Sequence, residues 1–468
     1  MTAVDTAAGP RAAAPASRAA VFGWILFDWA QQPFFTLVTT FVFAPYFAAR
    51  FIEDPARGQA LWGLGVGLAG LLIAILSPIL GAVADAGGRH KTWVLGFGAL
   101  QVAGSVALWL AAPGTAESTA ALVLAAFVVA SIGAEFAIVF TNAMMPDLVP
   151  PERLGRLSGT AWAVGYLGGL ASLVLVLGFM AADPASGRTV LGLAPILGLD
   201  PAAAEGDRAV GPLSALWFAA FALPFFLFAP NPPAKRPLRA ALRQGLSGLA
   251  DALRRARRHR NVLLFLLAHM VYADGLGALF AFGGVYAAGV FGWATLQIGL
   301  FGILLTVAGT LGAFLGGRLD DRLGPRRVVL GALLLLMTAC ALILTVDRTH
   351  VLLVVPVAPA GSGLFASAGE KLYIALGLAI GLAAGPLQSA SRTLLARIAP
   401  PSEITQFFGL YALSGKMTAF LAPLAVGALT ALAASQRAGM FPILAFLGAG
   451  FVLMLRVTDR ATEQRRSA

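Results

Sequence analysis

Apolar residues fill this chain in long blocks of about twenty or more, separated by short polar turns. The blocks recur from residue 21 to residue 458. A helix rises about 1.5 Å per residue, so roughly twenty apolar residues cross a hydrocarbon layer of about 30 Å. The alternation that marks membrane β-strands does not occur. The pattern predicts twelve membrane helices. Six lie near 20–48, 59–84, 91–112, 118–145, 156–181 and 212–230. Six more lie near 261–288, 294–318, 326–346, 371–397, 404–432 and 438–457. The expected fold class is all-α and polytopic, with two six-helix halves.

Composition supports this reading. Of 468 residues, 59% are hydrophobic and 12% charged, where a soluble chain carries about a quarter charged residues. The net charge of +11 points away from nucleic acid, because the basic residues are sorted by side. The loops and tails on the side of the termini hold 25 of the 33 Lys and Arg, and the opposite loops hold 7. The positive-inside rule then places both termini in the cytoplasm. The expected organisation is a disordered N-tail at 1–19, a six-helix bundle at 20–230, a linker at 231–259, a second bundle at 260–458 and a C-tail at 459–468. The linker spaces Leu238, Leu242, Leu246, Leu249 and Leu253 at helical intervals between arginines, as in a helix lying on an anionic lipid surface. The acidic loop 182–211 reads as solvated. The stretch 347–370 stays unassigned. The single cysteine, Cys340, lies in an apolar block and offers no disulfide or metal chemistry.

The halves repeat each other. GAVADAGGRHK at 81–91 returns as GRLDDRLGPRR at 317–327. Gly81, Asp85, Gly88 and Lys91 fall opposite Gly317, Asp321, Gly324 and Arg327, always 236 residues apart. PPERLGRLSG, ending at Gly159, returns 250 residues later as PPSEITQFFG, ending at Gly409. Fixed-offset similarity signals duplicated structural units. In each copy glycine permits a tight turn, and the acid can cap a helix or pair with arginine.

A GxxxDxxGxxK stretch between spans two and three, repeated between eight and nine, resembles the gating signature of the major facilitator superfamily. In the first copy Ala86 follows the aspartate, where a basic residue is usual. Three further stretches, WILFDWAQQPFFTLVTTFVFAPYF (24–47), NAMMPDLVPPERLGRLSGTAWAVGYLGG (142–169) and GPLQSASRTLLARIAPPSEITQFFGLYALSGK (385–416), resemble its vacuole-effluxer-like branch, which includes autophagy-related amino-acid effluxers and bacterial members. Gln31 stands where that branch has asparagine. The resemblance implies a secondary transporter in a bacterial cytoplasmic (inner) membrane, working by alternating access. Spans 1, 4, 7 and 10, with parts of 5 and 11, would line a central cavity.

Ionisable groups inside membrane spans are costly and mark pathways. Asp28, Glu135 and Asp274 are candidate proton carriers, since a carboxylate in a poorly hydrated cavity can load and release a proton. Lys416 is a candidate partner for a substrate carboxylate. The alternative for each is a structural pair that only orients the bundle. His269 reads as packing. Gln31, Gln32, Trp162, Tyr166, Gln388 and Tyr411 are candidate lining groups. Asn142, Asp147, Arg156 and Arg392 join the two repeated stretches as candidate cytoplasmic gate residues.

GVGLAG at 65–70 lies inside a span and reads as helix packing, not nucleotide binding. No catalytic constellation, cofactor or metal site is expected. The expected partners are a small polar solute, amino acids first, protons and membrane lipids. A monomer is the default. The alternatives are a drug, sugar or organic-ion exporter on the same fold, and a non-transporting receptor or scaffold.

Overall fold

The computed structural model describes residues 16–85, 89–115, 117–144, 147–149, 154–231, 240, 254–255, 257–357, 363–400 and 404–459. Within them the chain crosses a membrane-sized bundle twelve times. The first half comprises α1 (Arg18–Phe51), α2 (Pro55–Asp85), α3 (His90–Ala107), α4 (Glu117–Asn142), α5 (Leu154–Leu175, with a π-helical end at Val176–Met180) and α6 (Glu205–Phe228). The second comprises α7 (Arg260–Phe291), α8 (Thr295–Leu323), α9 (Pro325–Ile343), α10 (Ala368–Ile398), α11 and α12 (Gln436–Leu455). α11 is broken, with Ile404–Met417 and Leu421–Ala433 flanking a turn. Among the described residues, eleven stretches are long and apolar enough to span a membrane, and the apolar part of α5 is the shorter Val164–Met180. The predicted spans match these crossings to within a few residues, except at the outer start of α6. The tails and most of the linker lie outside the described residues.

Local chemistry sets the ends. Ser17 caps α1 by accepting the Ala20 amide at 3.1 Å. Ser367 and Glu370 cap α10 reciprocally. Pro325 opens α9, where its missing N–H costs nothing. Gly324, at φ 83°, makes the turn before it, a conformation that glycine enters without penalty. Pro33 lies inside α1 and cannot continue the hydrogen-bond ladder, and the next eight residues, Phe34–Phe41, are π-helical.

The two halves are packed alike. In the first, α1 lies against α5 and α6, α2 against α4, and α3 against α4 and α6. In the second, α7 lies against α11 and α12, α8 against α10, and α9 against α10 and α12. Every pair has its counterpart six helices later, the form expected of a parallel repeat. The halves meet along α2 and α11, and where the outer part of α1 touches α7 and α8. Here "outer" means the side away from the termini.

That outer seam is polar at its rim. Gln59 Nε2 donates to Thr430 Oγ1 at 2.8 Å and to the Gln436 carbonyl at 3.3 Å. Gln436 Nε2 donates back to the Pro55 carbonyl at 3.1 Å. Thr295 donates its hydroxyl to Asp207, which also holds Arg50 at 3.0 Å. The described contacts between the halves concentrate on this side and at mid-depth. The loop expected to be solvated holds the acid of this latch. Asp207 is buried, whereas Asp183 is half-buried and Asp200 exposed. Residues 350–356 form a two-stranded hairpin, β1 (His350–Val351) with β2 (Val355–Pro356).

Candidate functional site

Lys416 ends the first segment of α11, and its ammonium pairs with the carboxylate of Glu135 on α4. The pair joins the two halves across the interior. An isolated charge there would cost several kcal/mol (about 3 on insertion scales), and pairing is the usual remedy. The sequence placed both residues in the cavity but did not pair them with each other.

Asp28 sits half-buried on α1 against Gly165 of α5. Among the described residues it has no hydrogen-bond or ion-pair partner. Gln32 packs against Gly169 one turn further along. Tyr166 on α5 is half-exposed to the interior, and the Arg392 guanidinium acts on its phenol and on that of Tyr411. Arg392 of α10 is within electrostatic reach of one phenol from each half. Gln388 is exposed one turn before it on α10. The side chain of Trp162 lies outside the described residues.

Gln31 is corrected. It does not line the cavity but is buried between α1, α3 and α4. It accepts from Gln101 Nε2 at 2.7 Å and donates to the Ala134 carbonyl at 3.4 Å. One residue before Gln32, it is rotated by about 100° from that side chain and is held toward α3 and α4.

In the second half His269, read as packing, is tied into a hydroxyl and aromatic cluster. Its Nδ1 lies 2.9 Å from Ser414 Oγ, and its ring stacks on Tyr411 with centroids 4.0 Å apart. Tyr272 shares a 2.6 Å hydrogen bond with Ser391. Asp274 accepts the Ala422 amide at 3.2 Å. It thereby caps the second segment of α11 from another helix, at the second residue after the break at 418–420.

The gate stretches divide. Gly81, Asp85, Arg156, Gly317 and Asp321 lie in described helices, but their side chains fall outside the described residues, as does Gly88 entirely. Asn142 and Asp147 are exposed at the termini end of α4. Lys91 Nζ donates to the Phe226 carbonyl at 2.8 Å, clamping α3 to the end of α6. The equivalent clamp in the second half comes from Arg326, whose guanidinium reaches the Leu455 carbonyl at 2.8 Å and that of Val457. Arg327 is exposed. Likewise Asp320, next to the expected Asp321, is the buried acid, 4.0 Å from Arg397 of α10. In the second copy the described clamp is made by Arg326 and not by Arg327, because one residue rotates a helix face by about 100°.

The model of the family described as "Vacuole effluxer Atg22 like" matches residues 150–466. The chain is 23% identical over 443 residues to an uncharacterized MFS-type transporter, YxiO, of Bacillus subtilis, covering 94% of this chain and 95% of that one. It is 27% identical over 317 residues to autophagy-related protein 22 of Cryptococcus neoformans, covering 66% of this chain and 51% of that protein. It thus spans about half the length of that fungal relative. Among solved structures, a D-xylose-proton symporter superposes with TM-score 0.63 at 13% identity, over 94% of this chain and 96% of that one. A bacterial homologue of the lysosomal transporter Spinster, inward-facing and unoccupied, gives 0.62 at 17%, over 95% and 96%. These likenesses are of fold.

Proposed function

The chain belongs to the vacuole effluxer Atg22-like family of MFS-type transporters, and from that premise we propose that it moves a small zwitterionic solute, amino acids first, in exchange for protons. The observation that carries this is the Lys416–Glu135 pair. Each half contributes one charge to a shared interior, and the two charges match a solute's carboxylate and ammonium. A proton on Glu135 leaves Lys416 free for the carboxylate. A solute bound between the charges replaces the ion pair, so the halves can part and re-form around it. Asp28, half-buried on the first-half wall, is the second candidate for the ammonium or the proton. The latched outer seam supports an inward-facing state of an alternating-access cycle. With the basic residues sorted as they are, the termini and the open side face the cytoplasm of a bacterial inner membrane.

The test is uptake of pooled radiolabelled amino acids into proteoliposomes, with and without an inward-acid pH gradient. Gradient-stimulated uptake is expected. Absence of uptake by folded protein in both conditions removes amino acids and moves the search to sugars, organic ions and drugs.

A further inference from the structure

Two arginines outside the interior site sit together at the termini end of the second half. Arg260 opens α7, and Arg456 directly follows the last residue of α12. Both line one cavity of about 490 Å³ between these helix ends. Both are exposed, and among the described residues neither guanidinium has a hydrogen-bond or ion-pair partner.

The cavity is basic at its rim and apolar beneath. Leu263, Leu264 and Leu267 form its deeper wall. With Arg260 they stand at i, i+3, i+4 and i+7, which is one stripe on a helix. At 1.5 Å per residue the stripe runs about 10 Å along α7. Leu267 is 40% exposed, and the other two are half-buried.

Neighbouring contacts fix the walls and explain why the arginines stay available. Asn261 Nδ2 donates to the Thr458 carbonyl at 2.8 Å, and the Thr458 amide donates back to Asn261 Oδ1 at 2.9 Å. A basic residue at a helix C-terminus often serves that helix's own last carbonyls. At α12 Arg326 of α9 does this instead, by taking the Leu455 and Val457 carbonyls. The acid nearest to Arg456 along the chain, Asp459, is buried, and its carboxylate lies beside Gly324 between α8 and α9. The N-terminus of α7 has no side-chain cap, so its first amides add partial positive charge to the same end.

Two like charges on one cavity repel each other, and an anion between them turns that repulsion into attraction. We propose that this groove binds an anionic membrane phospholipid. The phosphate sits between Arg260 and Arg456, and an acyl chain lies on the leucine stripe. A free phosphate would leave the leucines uncovered. The chain's own linker is a poor counterion, since residues 231–259 carry eight Lys and Arg against one acid. Basic pockets between helix ends on the cytoplasmic side are where anionic headgroups settle. A shared phosphate ties the start of α7 to the end of α12, at the point where the linker enters the second half. The inference does not depend on which solute is transported.

The experiment uses full-length protein purified in detergent. Its melting temperature is followed as phosphatidylglycerol, phosphatidylcholine with the same acyl chains, or inorganic phosphate is added. Phosphatidylglycerol alone should raise it by several degrees. An arginine facing an anionic lipid is worth roughly fivefold in affinity, so Arg260→Gln with Arg456→Gln should need about thirtyfold more lipid for the same rise. Arg257→Gln with Arg258→Gln, at two exposed positions just before α7, should stay within about threefold of the parent. An equal rise with phosphatidylcholine or with phosphate overturns the proposal. So does an unchanged lipid requirement in the first pair, or an equal loss in both pairs, which marks diffuse surface charge. A second measurement needs no variant. Phosphatidylglycerol with a photoreactive group on its acyl chain is placed with the parent protein in phosphatidylcholine nanodiscs. After illumination, label is expected on the peptide holding residues 263–267. Label confined to other peptides overturns the groove, and it is the result if the linker fills it.

Discussion

Lys416 on α11 and Glu135 on α4 reach each other from opposite halves, so the interior of this transporter carries a charge pair that neither bundle could complete alone. Removing one member strands the other; with the Lys416 side chain 42% exposed and that of Glu135 20%, the cost falls below the roughly 3–5 kcal/mol of a fully buried pair. Glu135→Gln and Lys416→Met should each abolish gradient-driven accumulation and lower the melting temperature. The exchanged pair, Glu135→Lys with Lys416→Glu, should recover most of the thermal stability. If the exchange is no more stable than the single variants, the pair does not couple the halves.

Asp28 has no partner among the described residues, which suits a group that takes up and releases a proton or an ammonium. Asp28→Asn should lower pH-driven accumulation roughly tenfold or more and leave the fold intact by size-exclusion chromatography. An unaltered response to the gradient would take Asp28 out of proton coupling.

The outer latch should set which side is open. Thr295→Val and Gln59→Leu each remove hydrogen bonds that cross the seam. In a Cys340→Ala background with Thr40→Cys on the inner surface of that seam, each change should speed maleimide labelling from the outer side several-fold. Labelling at the parent rate would mean that apolar contacts alone hold the seam.

Asp274 caps a half-helix in trans, and loss of a capping acid costs about 1 kcal/mol. Asp274→Ala should raise hydrogen exchange at Ala422 and its neighbours more than elsewhere, with Asp274→Asn intermediate. Uniform exchange changes would show that the carboxylate does not hold the break in α11.

Outside the membrane, Asp347 offers a pH-dependent tie. Burial pushes its carboxyl up, but hydrogen bonds from Thr349, Arg437 and His350 outweigh this and hold it well below the usual carboxylate range. A carboxylate depressed in the folded state adds stability above its unfolded value near 3.9, and loses it as pH falls toward the folded one. The difference in melting temperature between the parent and Asp347→Asn should be constant above about pH 5 and shrink below about pH 4. A gap that does not shrink at all between about pH 4 and about pH 2 would trace to packing.

Much of the architecture could be read from the chain because membranes impose length. Blocks of twenty apolar residues have few alternatives, and the two constant offsets disclosed the repeat before any helix was seen. The interior acids and Lys416 were also readable, since charge inside such blocks is rare. What escaped depends on rotation about a helix and on distant partners. Gln31 lies in the same turn as Asp28 yet is held toward α3 and α4. Arg326 carries a contact expected of its neighbour. Asp207, Gln59, Thr295 and Gln436 look like ordinary polar residues near helix ends, and only the opposing half reveals what they hold.

Where α2 crosses α11 the contact is backbone on backbone. A Cβ built on Gly63 would lie 2.8 Å from Gly427 Cα and 2.9 Å from the Pro423 carbonyl. Interlocked side chains have to climb past one another when helices shift; between Gly63 and Gly427 there is little to climb, while Leu424 and Phe420 seat on Gly67 and Gly70 further along. The crossing works as a smooth bearing, and the closeness of the two chains sets the pivot for any tilt of one half on the other. Lengthening a side chain at Gly63 or Gly427 would move that axis outward and change the angle through which the whole machine swings, without touching a single charge.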